Sequence, residues 1–261
     1  MKDYKKLATE LRRTVIQMTA RAKSSHIGSN FSSADICTVL YDMADFSSMG
    51  SLTKDIILIK PWNVANVYAC LVRRGLLPRE AIDDYGKEGT PWATITEPIP
   101  PYIPFGTGAM GYNLPAAVGF ALAKKLKGEQ GTVYCLLSDG ELNIGSTWES
   151  LAIAKQQKLD NLVLIIDRNG LQAMGGTKDI LDMEPIDGKL MSFGAYVTTI
   201  DGHDYNKIFG ALNMRVEGRL LAIIANTIKG KGFSKFEGDN LWHYSHVSEG
   251  TLEEALKELN G

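Results

Sequence analysis

Asp139 and Asn169 lie thirty residues apart, each at the end of a short apolar run: Val133-Tyr-Cys-Leu-Leu-Ser-Asp-Gly-Glu141 and Leu162-Val-Leu-Ile-Ile-Asp-Arg-Asn-Gly170. Both runs predict buried strands of a parallel sheet, and residues 146–156 between them predict the crossover helix. Both side chains should then emerge at the carboxyl edge of neighbouring strands, where open α/β sheets bind ligands. A carboxylate oxygen and an amide oxygen are hard donors suited to Mg²⁺, and Gly140 lets its backbone approach a phosphate closely. Together they could supply half of an octahedral shell that a diphosphate completes.

An Asp-Gly pair after a strand is ordinarily only a turn. The partner at Asn169 changes its meaning, because the spacing is that of the thiamine diphosphate motif, Gly-Asp-Gly followed about thirty residues later by Asn, with Ser138 in place of the first glycine. Leu171, two residues past Asn169, could add its backbone carbonyl as a third protein ligand. Ser146-Thr-Trp-Glu149 fits a capping box, and Glu149 could alternatively point across a subunit interface. Of the four histidines, His26 and His243 sit in Gly/Ser-rich or aromatic loops, which favours functional roles over core roles. His203, in Asp201-Gly-His-Asp204, belongs to a strand-to-helix turn that Asp204 can cap, and His246 has no assigned role. Lys229-Gly-Lys-Gly-Phe233 lacks the full phosphate-loop pattern and instead predicts a flexible loop, to Tyr244, that could fold over a ligand.

The elements needed to position these groups follow from periodicity. Leu7, Leu11, Val15, Ile16 and Met18 predict an amphipathic N-terminal helix. Residues 24–30 predict a loop, Ser32 or Ser33 a cap for a helix through Leu40 and Tyr41, residues 55–60 a short buried strand, and Pro61 the start of a third helix. Prolines at 91, 98, 100, 101 and 104 predict an ordered irregular loop. A helix near 115–125, strands at 196–200 and 220–225, and a terminal helix at 249–259 complete an α/β fold, with a mainly parallel sheet and helices on both faces.

The length of 261 residues fits one large domain, residues 1–261. A net charge of −2, with no basic cluster beyond Lys229–Lys231, gives no footprint for nucleic acid or an anionic membrane, so small molecules and proteins are the expected partners. Cys37, Cys70 and Cys135 are dispersed in apolar surroundings and predict reduced core thiols in a cytoplasmic protein. No apolar run approaches the roughly 20 residues of a membrane span.

The order of motifs resembles the N-terminal half of a transketolase. It rests on Ser25-His-Ile-Gly-Ser-Asn-Phe-Ser-Ser-Ala-Asp-Ile36, Leu40-Tyr41, Thr107-Gly-Ala-Met-Gly111, Ser138-Asp-Gly-Glu-Leu142, Trp148-Glu149, Lys158-Leu-Asp-Asn-Leu162, Asp167-Arg-Asn169, Asp201-Gly-His-Asp204, Thr227-Ile-Lys-Gly-Lys-Gly232 and Trp242-His243. The resemblance implies a thiamine-diphosphate-binding fold in which Asp139, Asn169 and the Leu171 carbonyl hold Mg²⁺ or Ca²⁺. It implies that Gly140 donates its amide to the diphosphate, and that Gly108, Met110, Glu141 and His243 join the cofactor site. His26 matches a substrate-facing histidine, and His243 one near the diphosphate and the reacting carbon, which makes both catalytic candidates. The implied activity is transfer of a two-carbon ketol, or related acyl, unit from a ketose-type donor to an aldehyde acceptor. A pyrimidine-binding domain carrying the catalytic glutamate is expected on a separate chain, as in split transketolases, most simply in a two-plus-two tetramer whose partner covers apolar surface around residues 24–31 and the Trp148 helix.

Departures from that pattern fall in the site. Ile59-Lys-Pro-Trp62 replaces Ser-Lys-Gly-His, so a diphosphate-contacting histidine becomes Trp62; Gly89-Thr-Pro91 puts Thr90 in place of a donor-contacting histidine; Met110-Gly-Tyr-Asn113 replaces Leu-Gly-Gln-Gly; and Ile144 replaces an acid. An altered donor is the expectation. The alternatives are a thiamine-dependent decarboxylase or acyl synthase, suggested by the run from Met110 to Gly119, and a non-catalytic scaffold subunit, which the retention of Asp139 and Asn169 disfavours.

Overall fold

The structure, a computed structural model, describes residues 2–106 and 108–261, so Thr107 of the Thr107–Gly111 motif lies outside the described residues. Helices α1 (Tyr4–Arg21), α2 (Ile27–Ser32) and α3 (Ala34–Met43) lead into a small ribbon, β1 (Ser48–Met49) and β2 (Leu52–Thr53), and then β3 (Ile56–Ile59). There follow α4 (Val64–Arg73), α5 (Glu80–Asp83), α6 (Asn113–Lys127), β4 (Val133–Ser138), α7 (Gly145–Gln156), β5 (Leu162–Arg168), α8 (Thr177–Leu181), α9 (Ile186–Ser192), β6 (Tyr196–Asp201), α10 (Tyr205–Leu212), β7 (Leu221–Asn226) and α11 (Glu249–Glu258). The main sheet is wholly parallel, in the order β3-β4-β5-β7-β6.

Strand alternation sends neighbouring residues to opposite faces. Ile57, Ile59, Leu136, Val163, Ile165 and Ile223 pack with α1, α3, α4 and α10. Ile56, Leu58, Leu137, Leu164, Ile166 and Ile224 pack with α6, α7 and α9 on the other face. Burial on both faces explains why these strands read as continuous apolar runs. The register pairs Ser138 with Asp167, so the strand ends of β4 and β5 finish level with each other.

Four local expectations are corrected. Residues 27–32 are helical, entered through His26 at φ 70°, ψ 21°, because Asn30 donates to the His26 carbonyl from both backbone and side chain. Ser33 makes no side-chain cap to α3; its hydroxyl donates to the Ser29 carbonyl and accepts from Asn63. Pro61 opens a 3-10 turn, Pro61–Asn63, with the α-helix starting at Val64. The proline-rich segment is an ordered loop as expected, with Trp92 and Ile103 buried and Thr96 donating to the Pro61 carbonyl. The predicted Ser146–Glu149 capping box is absent. The box forms earlier in the chain instead, where Ser138 and Glu141 cap the turn Asp139–Asn143, while Ser146 bonds the Gly111 carbonyl.

Candidate functional site

Four strand ends converge at the carboxyl edge of the sheet. Past β4, Asp139 is 5% exposed; its Oδ1 accepts from the Gly140 N–H at 2.9 Å and its Oδ2 from the Gly170 N–H at 2.7 Å. Past β5, the Asn169 Nδ2 donates to Asp167 Oδ2 at 3.2 Å, and its Oδ1 accepts from the Leu171 N–H at 3.1 Å. That network orients the amide, leaving remaining lone pairs only on its oxygen. Asp167, wholly buried, is ion-paired with Lys60 past β3 and accepts from Ser32 at 2.6 Å and from Thr227 past β7. Burial raises the Asp167 pKa, but Lys60 and the hydroxyl donors outweigh it and hold the group low. Among the described residues Asp139 accepts hydrogen bonds from backbone amides alone; burial, with Asp167 nearby, pushes its pKa up to about 6. Among the described residues no donor reaches the Leu171 carbonyl oxygen. Asp139, Asn169 and Leu171 thus present hard oxygens that a divalent cation would compensate.

These groups line a cavity of about 380 Å³, together with His26, Lys60, Trp62, Met110, Gly140, Glu141, Gln172, Lys229 and His243. Lys229 is 1% exposed, and burial lowers its pKa to about 8, assisted by Lys60. Among the described residues the Gln172 Nε2 is buried without a partner, in the wall beside Gly140, where an added Cβ would sit 3.3 Å from Gln172 Cγ. A buried unsatisfied donor costs about 1–3 kcal/mol, so an acceptor in the cavity would relieve it. Two ammonium groups and this orphan amide suit a diphosphate, and the oxygen cluster suits its metal. The donor set fits thiamine diphosphate with a divalent ion.

His26 and His243 meet on the cavity wall. Their ring centroids are 4.8 Å apart, edge to face, and the His26 N–H donates to the His243 carbonyl at 2.9 Å. His26 Nδ1 lies 2.6 Å from the Ser25 hydroxyl, and its ring stacks on Trp62 at 4.5 Å with 5° between planes. Other expectations are revised. Glu141 lines the cavity, but its carboxylate is spent on the Ser138 and Gly111 N–H groups. The Gly140 N–H bonds Asp139 instead of facing open space. Gly108 is exposed and outside the lining, and Thr90, half-buried, lies outside it too, its hydroxyl bonded to the Lys87 carbonyl. Residues 229–244 are already folded down: Phe233, Phe236 and Trp242 are buried, and the Gly230 N–H donates to the Gly28 carbonyl. Apolar residues of the 24–31 segment are buried within this chain, so that segment needs no partner to cover it, whereas on the Trp148 helix Trp148 packs half-buried on Phe193 and Ile153 stays 49% exposed; Glu149 is exposed.

One buried network was not foreseen. Asp35 takes both Arg12 NH groups at 2.8 and 2.7 Å, His203 Nδ1 at 2.7 Å and the Tyr205 hydroxyl at 2.9 Å. His203 Nε2 then accepts from the Ile228 N–H at 2.9 Å, and Arg12 Nε donates to the Lys231 carbonyl at 2.7 Å. The network therefore anchors the backbone on either side of Lys229. Asp204 caps α10 as expected.

Residues 4–260 match the family model of the transketolase thiamine diphosphate binding domain. The chain is 35% identical over 269 residues to one of the subunits of the apulose-4-phosphate transketolase of Actinobacillus succinogenes, covering 98% of this chain and 96% of that protein. It is 31% identical over 264 residues to a 6-deoxy-6-sulfo-D-fructose transketolase subunit of a Clostridium species, with 98% and 96% covered. It is similar in fold to the transketolase of Leishmania mexicana, with a TM-score of 0.90 at 22% identity over 100% of this chain. It spans only 42% of that protein.

Proposed function

This chain belongs to the transketolase family, matching its thiamine diphosphate binding domain, and on that premise we propose that it is the diphosphate-binding subunit of a transketolase made of two polypeptides. The observation that carries the reading is the convergence of Asp139, Asn169 and Leu171 with Lys229 and Gln172 on one cavity. Asp139, Asn169 and Leu171 would hold Mg²⁺ or Ca²⁺, and Lys229 and Gln172 would face the diphosphate. When bound, thiamine diphosphate supplies the carbon centre that permits a bond next to a carbonyl to be broken and remade.

The chain's own residues prepare the surroundings. Lys229 donates to His243 Nδ1, so that ring carries its proton on Nε2. His26 and His243, both kept neutral by burial, offer imidazole nitrogens to substrate hydroxyl and carbonyl oxygens. Trp62, Met110 and Tyr244 wall the mouth and restrict water. A partner subunit supplies the pyrimidine-binding half and its glutamate, in a two-plus-two assembly that Glu149 faces. The donor is a modified ketose, an unphosphorylated or nucleotide-linked one, or a different acyl donor, and the acceptor is an aldehyde; the names of the two similar subunits, which specify apulose 4-phosphate and 6-deoxy-6-sulfo-D-fructose, support a donor outside the ordinary set. The three buried free thiols suit the reducing cytoplasm. Mixing the chain with a pyrimidine-domain subunit, thiamine diphosphate and Mg²⁺ should yield ketol transfer from a ketose to an aldehyde; a complex that binds cofactor and never transfers would refute the reading.

A further inference from the structure

His26 has three unusual properties at once. It is a non-glycine residue in the left-handed region, it is only 8% exposed, and its ring carries an aromatic plane on one face. A left-handed histidine persists only where its surroundings over-determine it. Asn30 does part of this, since its Nδ2 donates to the His26 carbonyl at 3.0 Å and to the Trp62 carbonyl at 3.1 Å. One amide thus ties together the backbones of both stacked residues. Trp62 is held from its other side as well, because Thr96 donates to the preceding carbonyl, that of Pro61, through both N–H and hydroxyl.

We infer that Trp62 is a positioning residue: its indole fixes the His26 imidazole by stacking and so aims the ring at the substrate. With Nδ1 engaged by Ser25 and one face covered by Trp62, the ring nitrogen left without a partner among the described residues is Nε2, on a ring that lines the cavity. The outer side of Trp62, a residue 37% exposed, is left at the cavity mouth beside Met110 and Tyr244. The inference rests on the proposed function for what His26 touches, but the stack itself does not.

The stack is read first on the chain alone by proton NMR of the histidine rings, with His26 assigned by its disappearance in His26→Gln. A ring lying over an indole has its protons shifted upfield. The expected wild-type spectrum shows that shift, Trp62→Ala abolishes it and Trp62→Phe retains part. In the assembled complex, Trp62→Ala should lower kcat roughly three- to ten-fold, the scale of one aromatic pair, with cofactor Kd unchanged and with recovery in Trp62→Phe. An unshifted His26 resonance in the wild type overturns the inference without any variant. So does a Trp62→Ala enzyme with unchanged kcat, or one whose cofactor Kd moves while kcat does not, which would make Trp62 merely a wall of the diphosphate seat. Failure of the transketolase reading looks different: no turnover by the wild-type complex with any ketose, while the ring shift is present.

Discussion

Lys229 Nζ lies 2.9 Å from His243 Nδ1 and 2.9 Å from Asn240 Oδ1, so a buried ammonium sets the tautomer of a cavity imidazole. Burial, with Lys229, His26 and Lys60 adding to it, pushes the His243 pKa down to about 3. Burial, with Lys229 and Lys60, pushes His26 down to about 4. In the unfolded chain both rings take up protons near their ordinary value of 6.5, while in the folded protein they stay neutral. The unfolded state therefore binds more protons below that value, and stability falls as pH drops from 6.5 toward 4. Urea midpoints measured from about pH 7 to about pH 5 should decline, and combining His26→Gln with His243→Gln should flatten the decline. An unchanged slope in the double variant would show that other groups cause it.

The Arg12–Asp35 pair should dominate the stability of the N-terminal layer. Asp35→Ala leaves a guanidinium buried without its carboxylate, beside His203 and Tyr205, which also lose their acceptor. Removing one member of a buried pair costs roughly 3–5 kcal/mol, to be read from denaturant unfolding. A loss within about 0.5 kcal/mol, typical of surface substitutions, would contradict the network.

Catalysis should need two chains. The purified chain alone should show no carbon–carbon transfer in a coupled ketose assay, and activity should appear on titration with a pyrimidine-domain subunit. Turnover by the partner-free chain at the rate of the complex would overturn this.

Donor choice should respond to Trp62 and not to Thr90, since only Trp62 lines the cavity. The wild-type complex should act weakly on xylulose 5-phosphate; Trp62→His should raise that activity relative to other donors, and Thr90→His should leave the order of donors unchanged. A wild-type kcat/KM with xylulose 5-phosphate and ribose 5-phosphate of about 10⁴ M⁻¹s⁻¹ or more would mean an ordinary transketolase.

The parallel strands were legible because they are buried on both faces and bounded by Gly, Asp and Asn, which also gave the positions of Asp139 and Asn169. Helix α2 was not, because Gly28 and Ser29 are weak helix formers and the turn is fixed by contacts with distant parts of the chain, the Trp62 carbonyl that Asn30 reaches and residues 230–243. The capping box was misplaced because Ser-x-x-Glu occurs both at 138–141 and at 146–149, and packing against Gly111 selects the first. Asp35, His203 and Arg12 lie far apart in sequence, so their network carried no local signal, although Asp201-Gly-His-Asp204 had marked one member.

The central claim is that Asp139 and Asn169 hold a divalent cation on which thiamine diphosphate is bound. Calorimetric titration of the assembled complex with thiamine diphosphate, with and without Mg²⁺, tests it most directly when wild type is compared with Asp139→Asn. That change keeps a similar shape and removes the charge. Binding to the wild type should require the metal, and the variant, with an unchanged circular dichroism spectrum, should bind more than about 100-fold more weakly, beyond the loss expected for an outer-sphere partner. Metal-dependent binding of wild-type strength in Asp139→Asn would contradict the account.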